Sequence, residues 1–301
     1  QIESVGERWF VDPNGSGPFV LDSISAEEIV LTRNENYYGS QVNLDRVEYF
    51  VGSGYPVTQY ETGELDIAPI PADELERLLD PANDLSDQIV SSASLDLQYI
   101  GLNVAAAPFD DPLVRQAFTE AIDRQRIAEQ ILKGIGVAAR GILPPSLADY
   151  NENLESIPYD PEHARELLAM SSYGGAEGLP PIVLAESGTS GYLDDIAAAV
   201  IELLEENLSI EVTVEQVEWS DFLNDLTDMR YQMFLSGWIA DYPDADNFLD
   251  LLFYSTSNRN HTGYANTRVD SLLDAARFEQ DLTTRRELYQ EAEQIIVDDA
   301  A

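Results

Sequence analysis

Short apolar runs alternate with amphipathic stretches along the chain, and the two periods separate strands from helices. Phe19-Val20-Leu21, Ile29-Val30-Leu31 and Val47 to Val51 have the length and bulk of strands, with a turn at Gly15-Ser16-Gly17-Pro18 and a loop over 34–39 between them. A helix is predicted from Ala72 to Leu79, and Leu97 to Val104 reads as a buried strand. Pro112 precedes a helix with Val114, Ala117, Phe118, Ala121 and Ile122 along one face. Asp160 and Pro161 supply the cap and first turn of the next helix. Beyond it come a strand at Ile182-Val183-Leu184, a helix from Asp194 to Asn207, an alternating strand from Ile210 to Val217, and a helix opening at Trp219. Val269–Glu279 and Thr283–Val297 read as the last helices. The expected fold class is α/β: residues 1–98 mainly β, residues 99–301 a layered α/β lobe.

The stretch from Arg230 to Phe253 is the most informative. Met233-Phe234-Leu235 is a buried-strand run, which Ser236-Gly237 is expected to break, placing Trp238 and Asp241 in the loop that follows. Gly237 leaves room for a backbone or ligand to approach. Pro243-Asp244 forbids more sheet, and Asp244 or Asp246 can cap a helix through Phe248, Leu249, Leu251, Leu252 and Phe253. A strand, a loop bearing an aromatic slab and a carboxylate, then a helix is how open α/β sheets present ligand groups. The plainer reading of the same residues is a buried Trp and a solvated turn Asp.

Charge narrows the partners. The 301 residues carry 56 acidic and 16 basic side chains, the latter fifteen Arg and the single Lys133, for a net charge of -40. Such a field repels nucleic acid and anionic membranes. It also opposes compaction unless counter-ions screen it, with a Debye length of roughly 3 Å at 1 M salt. This pattern is read as the acidic surface of a halophile. With no cysteine, disulfides, thiol catalysis and zinc-thiolate sites are excluded. No signal peptide or membrane-spanning run is present.

Catalytic motifs are missing. The two histidines are His163 and His261, Ser190 in GTSG lacks the nucleophile-elbow spacing, and no HExxH, EF-hand loop, G-x-G-x-x-G or phosphate loop occurs. Arg115 is a candidate anchor for a carboxylate, against a structural role on its helix. Asp241, Asp244 and Asp246 are a candidate calcium or salt-ion site.

GWIADYPDADNFL, followed by YANTRVDSLLDAA, resembles the extracellular solute-binding proteins of ABC importers, in the class that binds peptides, nickel chelates and some oligosaccharides (bacterial extracellular solute-binding protein family 5). GSGPFVLDSISAEEIVLTRNENYYG, YIGLNVAAAPFDDPLVRQAFTEAIDRQRIAEQIL and YDPEHARELLA match the same class in the same order, so the resemblance covers nearly the whole chain. It implies a periplasmic-binding-protein-like bilobal architecture. Residues 1–98 would be a partial first lobe and 99–301 a nearly complete second one, which makes the chain a truncated piece of a longer protein. It further implies a monomer that closes two lobes on a small solute, an oligopeptide or dipeptide foremost, and hands it to a membrane permease. The place implied is the extracellular face or periplasm, with a lipid anchor in the full-length protein. No enzyme activity, cofactor or metal follows from it.

The resemblance also names positions. Asp241 matches the residue that meets a peptide's α-ammonium in the family's peptide binders, and Trp238 and Trp219 match positions that wall the ligand site. Gly237, Tyr99, Asn103 and Tyr242 complete the expected ligand-binding set. Some peptide binders carry Arg three residues before the Trp, where this chain has Leu235, so carboxylate recognition there is not implied. The alternative reading is a detached solute-binding-like domain used in sensing or protein–protein interaction.

Overall fold

In the computed structural model, which describes residues 13, 15–52 and 54–301, the first strand-like runs pair as a meander. β1 (Phe19–Ile24), β2 (Glu28–Arg33) and β3 (Arg46–Phe50) form an antiparallel sheet in that order, with a bulge between Leu21 and Ser23. Two helices follow, α1 (Pro56–Glu61) and α2 (Ala72–Leu79). α1 begins at a proline, whose fixed φ suits a first helical turn. This unit, Gln1–Asp87, buries few apolar side chains among its described residues: Val30, Val57 and Leu78.

The second unit, Gln88–Ala301, holds the large cores. The expected division at 98/99 would cut β4 (Asp96–Leu102), which pairs along its whole length with β7 (Met233–Ile239). That ladder places all of β4 in the second unit. Between these strands come α3 (Pro112–Ala121) and a helical turn at Arg124–Arg126, which runs into a π-helical stretch at Ile127–Ile131. Then follow α4 (Pro161–Met170), β5 (Ile182–Ser187), α5 (Asp195–Leu208), β6 (Val212–Val217) and α6 (Trp219–Thr227). After β7 the chain is helical: α7 (Asp246–Phe253), α8 (Thr267–Phe278) and α9 (Leu282–Asp298).

The four strands form one mixed sheet in the order β4-β7-β5-β6, antiparallel at β4/β7 and parallel elsewhere. Side chains alternate across it. Leu184 and Met233 join a core with Val114, Phe118, Leu168, Val200 and Leu204 from α3, α4 and α5. Their neighbours Ala185 and Phe234 face a smaller cluster with Phe222, Leu226 and Tyr231. A third cluster packs α7, α8 and α9 with Ile142 and Leu143.

Acidic side chains hold the helix starts. Asp111, Asp160, Asp194 and Asp281 each accept a main-chain N–H two or three residues further on, within the first turn, at 2.8–3.0 Å. Arg115 is buried and spends its guanidinium on three carbonyls, of Phe109, Asp299 and Ala300, each at 2.9 Å. It clamps α3 to the end of α9 and is not a carboxylate anchor. His163 lies on α4 with Nδ1 2.8 Å from Glu120, a contact that raises its pKa. No described helix is long and apolar enough to cross a membrane.

Candidate functional site

Ser236-Gly237 does not end the strand. The antiparallel ladder continues through Gln98↔Gly237, Leu97↔Trp238 and Asp96↔Ile239, because main-chain pairing needs no side chain at Gly237. Trp238 therefore sits within β7, and its half-buried ring rests on the cluster built by α7, α8 and α9. The chain leaves the sheet at Ala240, whose N–H donates to the Leu95 carbonyl at 2.8 Å.

Five residues, 241–245, then turn the chain into α7. The Asp244 carboxylate accepts from the Asp246 N–H at 3.0 Å and pairs with Arg285 at 2.7 Å, so Asp244 anchors the far end of the turn. That pairing holds its carboxyl below the usual range despite partial burial. In the middle stands Asn247. Its Oδ1 accepts from the Trp238 indole Nε1–H at 3.1 Å and from the Asp241 main-chain N–H at 3.1 Å. Its side chain also meets the Tyr242 hydroxyl. Asn247 is 1% exposed, the deepest polar residue of the region.

The result is a main chain fixed at Asp241 and a carboxylate left free. Asp241 is solvent-exposed, and its carboxylate has no hydrogen bond or ion pair among the described residues. The Asp241 N–H and the Trp238 indole N–H converge on one oxygen, so the two residues are neighbours. An exposed carboxylate can take a cationic group by a charge-assisted hydrogen bond, and an indole ring can supply an apolar or cation–π wall.

Residues 5–260 match the family model described as bacterial extracellular solute-binding proteins, family 5 Middle. The chain belongs to this family. Among curated members, the dipeptide-binding protein of Escherichia coli (strain K12) is 26% identical over 304 residues, 98% of this chain and 56% of that protein. Heme-binding protein A of Haemophilus influenzae is 30% identical over 295 residues, 94% of this chain and 52% of that protein. Among solved structures, the ABC transporter-associated periplasmic binding protein DppA from Helicobacter pylori, in complex with peptide STSA, superposes with a TM-score of 0.82 at 28% identity, over 95% of this chain and 56% of that one. The chain thus spans about half the length of the family 5 relatives it matches. The neighbours are periplasmic binding proteins, and the α/β fold described above is theirs.

Of the positions expected from the resemblance to family 5, the structure brings Trp238, Asp241 and Tyr242 together around Asn247 at the exit of β7. Gly237 lies within the strand, with the space beside it taken by the Gln98 side chain, 2.6 Å from where a Cβ would be. Tyr99 lies on β4 opposite Ser236 with its ring edge-on to Phe234 at 6.3 Å, and burial raises its pKa. Trp219 opens α6, 59% exposed and stacked on Phe222. Asn103 lies apart from that group, just past the end of β4. It is buried, its amide donates to the Met229 and Tyr231 carbonyls at 3.1 Å, and its oxygen accepts from the Ala105 N–H at 3.0 Å, so it ties the end of β4 to the segment leading into β7.

Asp241, Asp244 and Asp246 do not form a cation cage, since Asp244 is taken by Arg285. Among the described residues no group of three His, Cys, Asp or Glu is placed to hold a metal. Tyr242 lines a cavity of about 330 Å³ with Asp246, Asp250, Tyr254 and Arg277. Burial pushes the Asp250 carboxyl up to about 6 against the pull of Arg277. A larger cavity, about 920 Å³, opens along β4; it takes in Tyr99 but neither Trp238 nor Asp241. Its lining is mostly apolar, and its one acidic residue is Asp96, so it offers a cation far less than the β7 exit does.

Proposed function

We propose that this chain is the solute-capturing part of an ABC importer, that its solute is a short peptide with a free amino terminus, and that a membrane permease receives the loaded form outside the cell membrane. The protein acts by binding, with no chemical step. The observation that carries this reading is Asp241, whose main chain is pinned while its carboxylate stays unpaired. Most anionic groups of this acid-rich chain need no partner in water; this one belongs to a residue whose main-chain N–H shares the Asn247 oxygen with the Trp238 indole N–H at a strand exit. A peptide α-ammonium satisfies it, and closure of two lobes over the pair would strengthen the attraction by excluding water. Binding shifts the lobes only if the peptide's contacts favour the closed form. Relatives named as dipeptide- and oligopeptide-binding proteins support the same solute class.

The test is titration calorimetry of the intact protein with trialanine and with N-acetyl-trialanine. Trialanine is expected to bind and the acetylated peptide to lose at least about tenfold in affinity, the worth of one charge-assisted hydrogen bond. Equal affinity for the two removes the α-ammonium from the account.

A further inference from the structure

Asn247 is a polar side chain where the packing calls for an apolar one. The residues after it on α7, Phe248 and Leu249, are fully buried, and Asn247 itself is 1% exposed. A buried amide must find its hydrogen bonds or cost the fold their desolvation. The partners here are notable for what they have in common. The two lone pairs of Oδ1 go to the indole N–H of Trp238 and the main-chain N–H of Asp241, both at 3.1 Å, and the side chain also meets the Tyr242 hydroxyl. Every one of these belongs to the strand exit that presents the free carboxylate.

The rest of that turn is held at its ends and by local contacts: the Tyr242 carbonyl accepts from the Asp244 N–H at 2.9 Å, and the Tyr242 hydroxyl also meets Asp246. Ala240 is tied to Leu95, and Asp244 to Arg285 and to the Asp246 N–H. Among these ties, the Asp241 and Tyr242 contacts with Asn247 are ones that reach a buried side chain of α7, and the Trp238 bond fixes the edge of the indole to that same side chain. Asn247 reaches them from a helix locked by Phe248, Leu249 and Leu252 in the core, so it brings the rigidity of the core to the loop.

We propose that Asn247 is the positioning residue of the peptide site: through one oxygen it sets the angle of the Trp238 wall and the reach of the Asp241 carboxylate, while touching no ligand itself. This rests on the peptide-binding reading above and deepens it. A side chain that merely satisfied buried donors would affect stability alone. One that positions the site changes ligand affinity and the environment of the indole N–H together, and an isostere retaining the acceptor restores both.

The experiment compares Asn247→Leu, which deletes the acceptor, with Asn247→Asp, which keeps it, in the intact protein. The chain has three tryptophans, and the Trp238 indole N–H signal in a ¹⁵N-correlated NMR spectrum is assigned by its loss in Trp238→Phe. Asn247→Leu is expected to shift that signal, speed its exchange with water and weaken trialanine binding by at least about tenfold. Asn247→Asp is expected to keep slow exchange and to bind within about threefold of the parent. Parent-like affinity and exchange in Asn247→Leu would overturn the proposal, as would equal losses in both variants. If Asn247→Leu fails to fold, the unsubstituted protein decides: slow indole exchange at Trp238 supports the bond, and exchange as fast as free indole refutes it. If the parent binds no trialanine, the peptide reading falls, while the exchange data still judge what Asn247 does to the indole.

Discussion

Glu293 offers a sharp test of how the ground beneath Trp238 is built. It lies on α9, 1% exposed, and Oε1 accepts the main-chain N–H groups of Ile142 and Leu143, both at 2.8 Å. Gly141 permits this approach, since a Cβ there would lie 2.6 Å from that oxygen and 2.3 Å from Leu154 Cδ2. Ile142 and Leu143 are themselves buried and belong to the cluster on which Trp238 rests. Replacing Glu293 with Ala orphans two buried donors, each worth about 1–3 kcal/mol, so the variant should lose roughly 2–6 kcal/mol. Glu293→Gln keeps the accepting oxygen and should stay within about 1 kcal/mol of the parent. The sign of the pH dependence is also set. Burial holds the Glu293 carboxyl above the usual range, although the two N–H groups pull it down. A carboxyl raised in the fold contributes stability at low pH and loses it as pH climbs from its unfolded to its folded pKa. Glu293→Gln should therefore gain on the parent between acid and neutral pH. Urea denaturation of the three proteins across that range reads both effects. An Ala variant that loses under about 1 kcal/mol, or a Gln variant as damaged as Ala, would refute the reasoning.

Three further outcomes are expected. Phe248 is fully buried at the head of α7, and Phe248→Ala should cost about 3–5 kcal/mol by urea denaturation; a loss below about 1.5 kcal/mol would mean the site's helix is not locked by the core. Asp250, raised to about 6 by burial, contributes stability that is present at low pH and lost as pH rises toward that value. Asp250→Asn should therefore improve in melting temperature relative to the parent from about pH 4 to pH 7, and a constant offset contradicts the assignment. With a net charge of -40, the melting temperature should rise as KCl goes from dilute to molar, whereas a flat or falling series would show that self-repulsion does not limit stability.

Period and punctuation carried most of the second unit. The strands at 97–104, 182–184 and 210–217 were legible because burial on one face writes itself into local spacing, and the cap at Asp160 because a proline follows it. The strand containing Trp238 was read as ending at Ser236 because small residues interrupt the apolar run, yet β4 supplies a continuous ladder that the run cannot reveal. α1 went unread because its six residues are shorter than a periodic pattern needs. Long-range hydrogen bonds decide the remainder. Asn103 reaches carbonyls 126 and 128 residues away, and Arg115 reaches others 184 and 185 away, so neither role is visible in spacing. Asn247 left one usable signal, a lone polar residue heading an apolar helix face, but its partners emerge only when β7 and α7 are folded together.

The central claim is that Asp241 meets the α-ammonium of a peptide, and one substitution tests it most directly. Asp241→Asn is isosteric and lies on an exposed turn, so the fold and its melting temperature should be unchanged. Titration calorimetry of the intact variant with trialanine should show a loss of about 1.5–3 kcal/mol, the worth of a hydrogen bond to a charged group, which is roughly a ten- to hundredfold weaker affinity. Parent-like affinity for trialanine in Asp241→Asn would contradict the account.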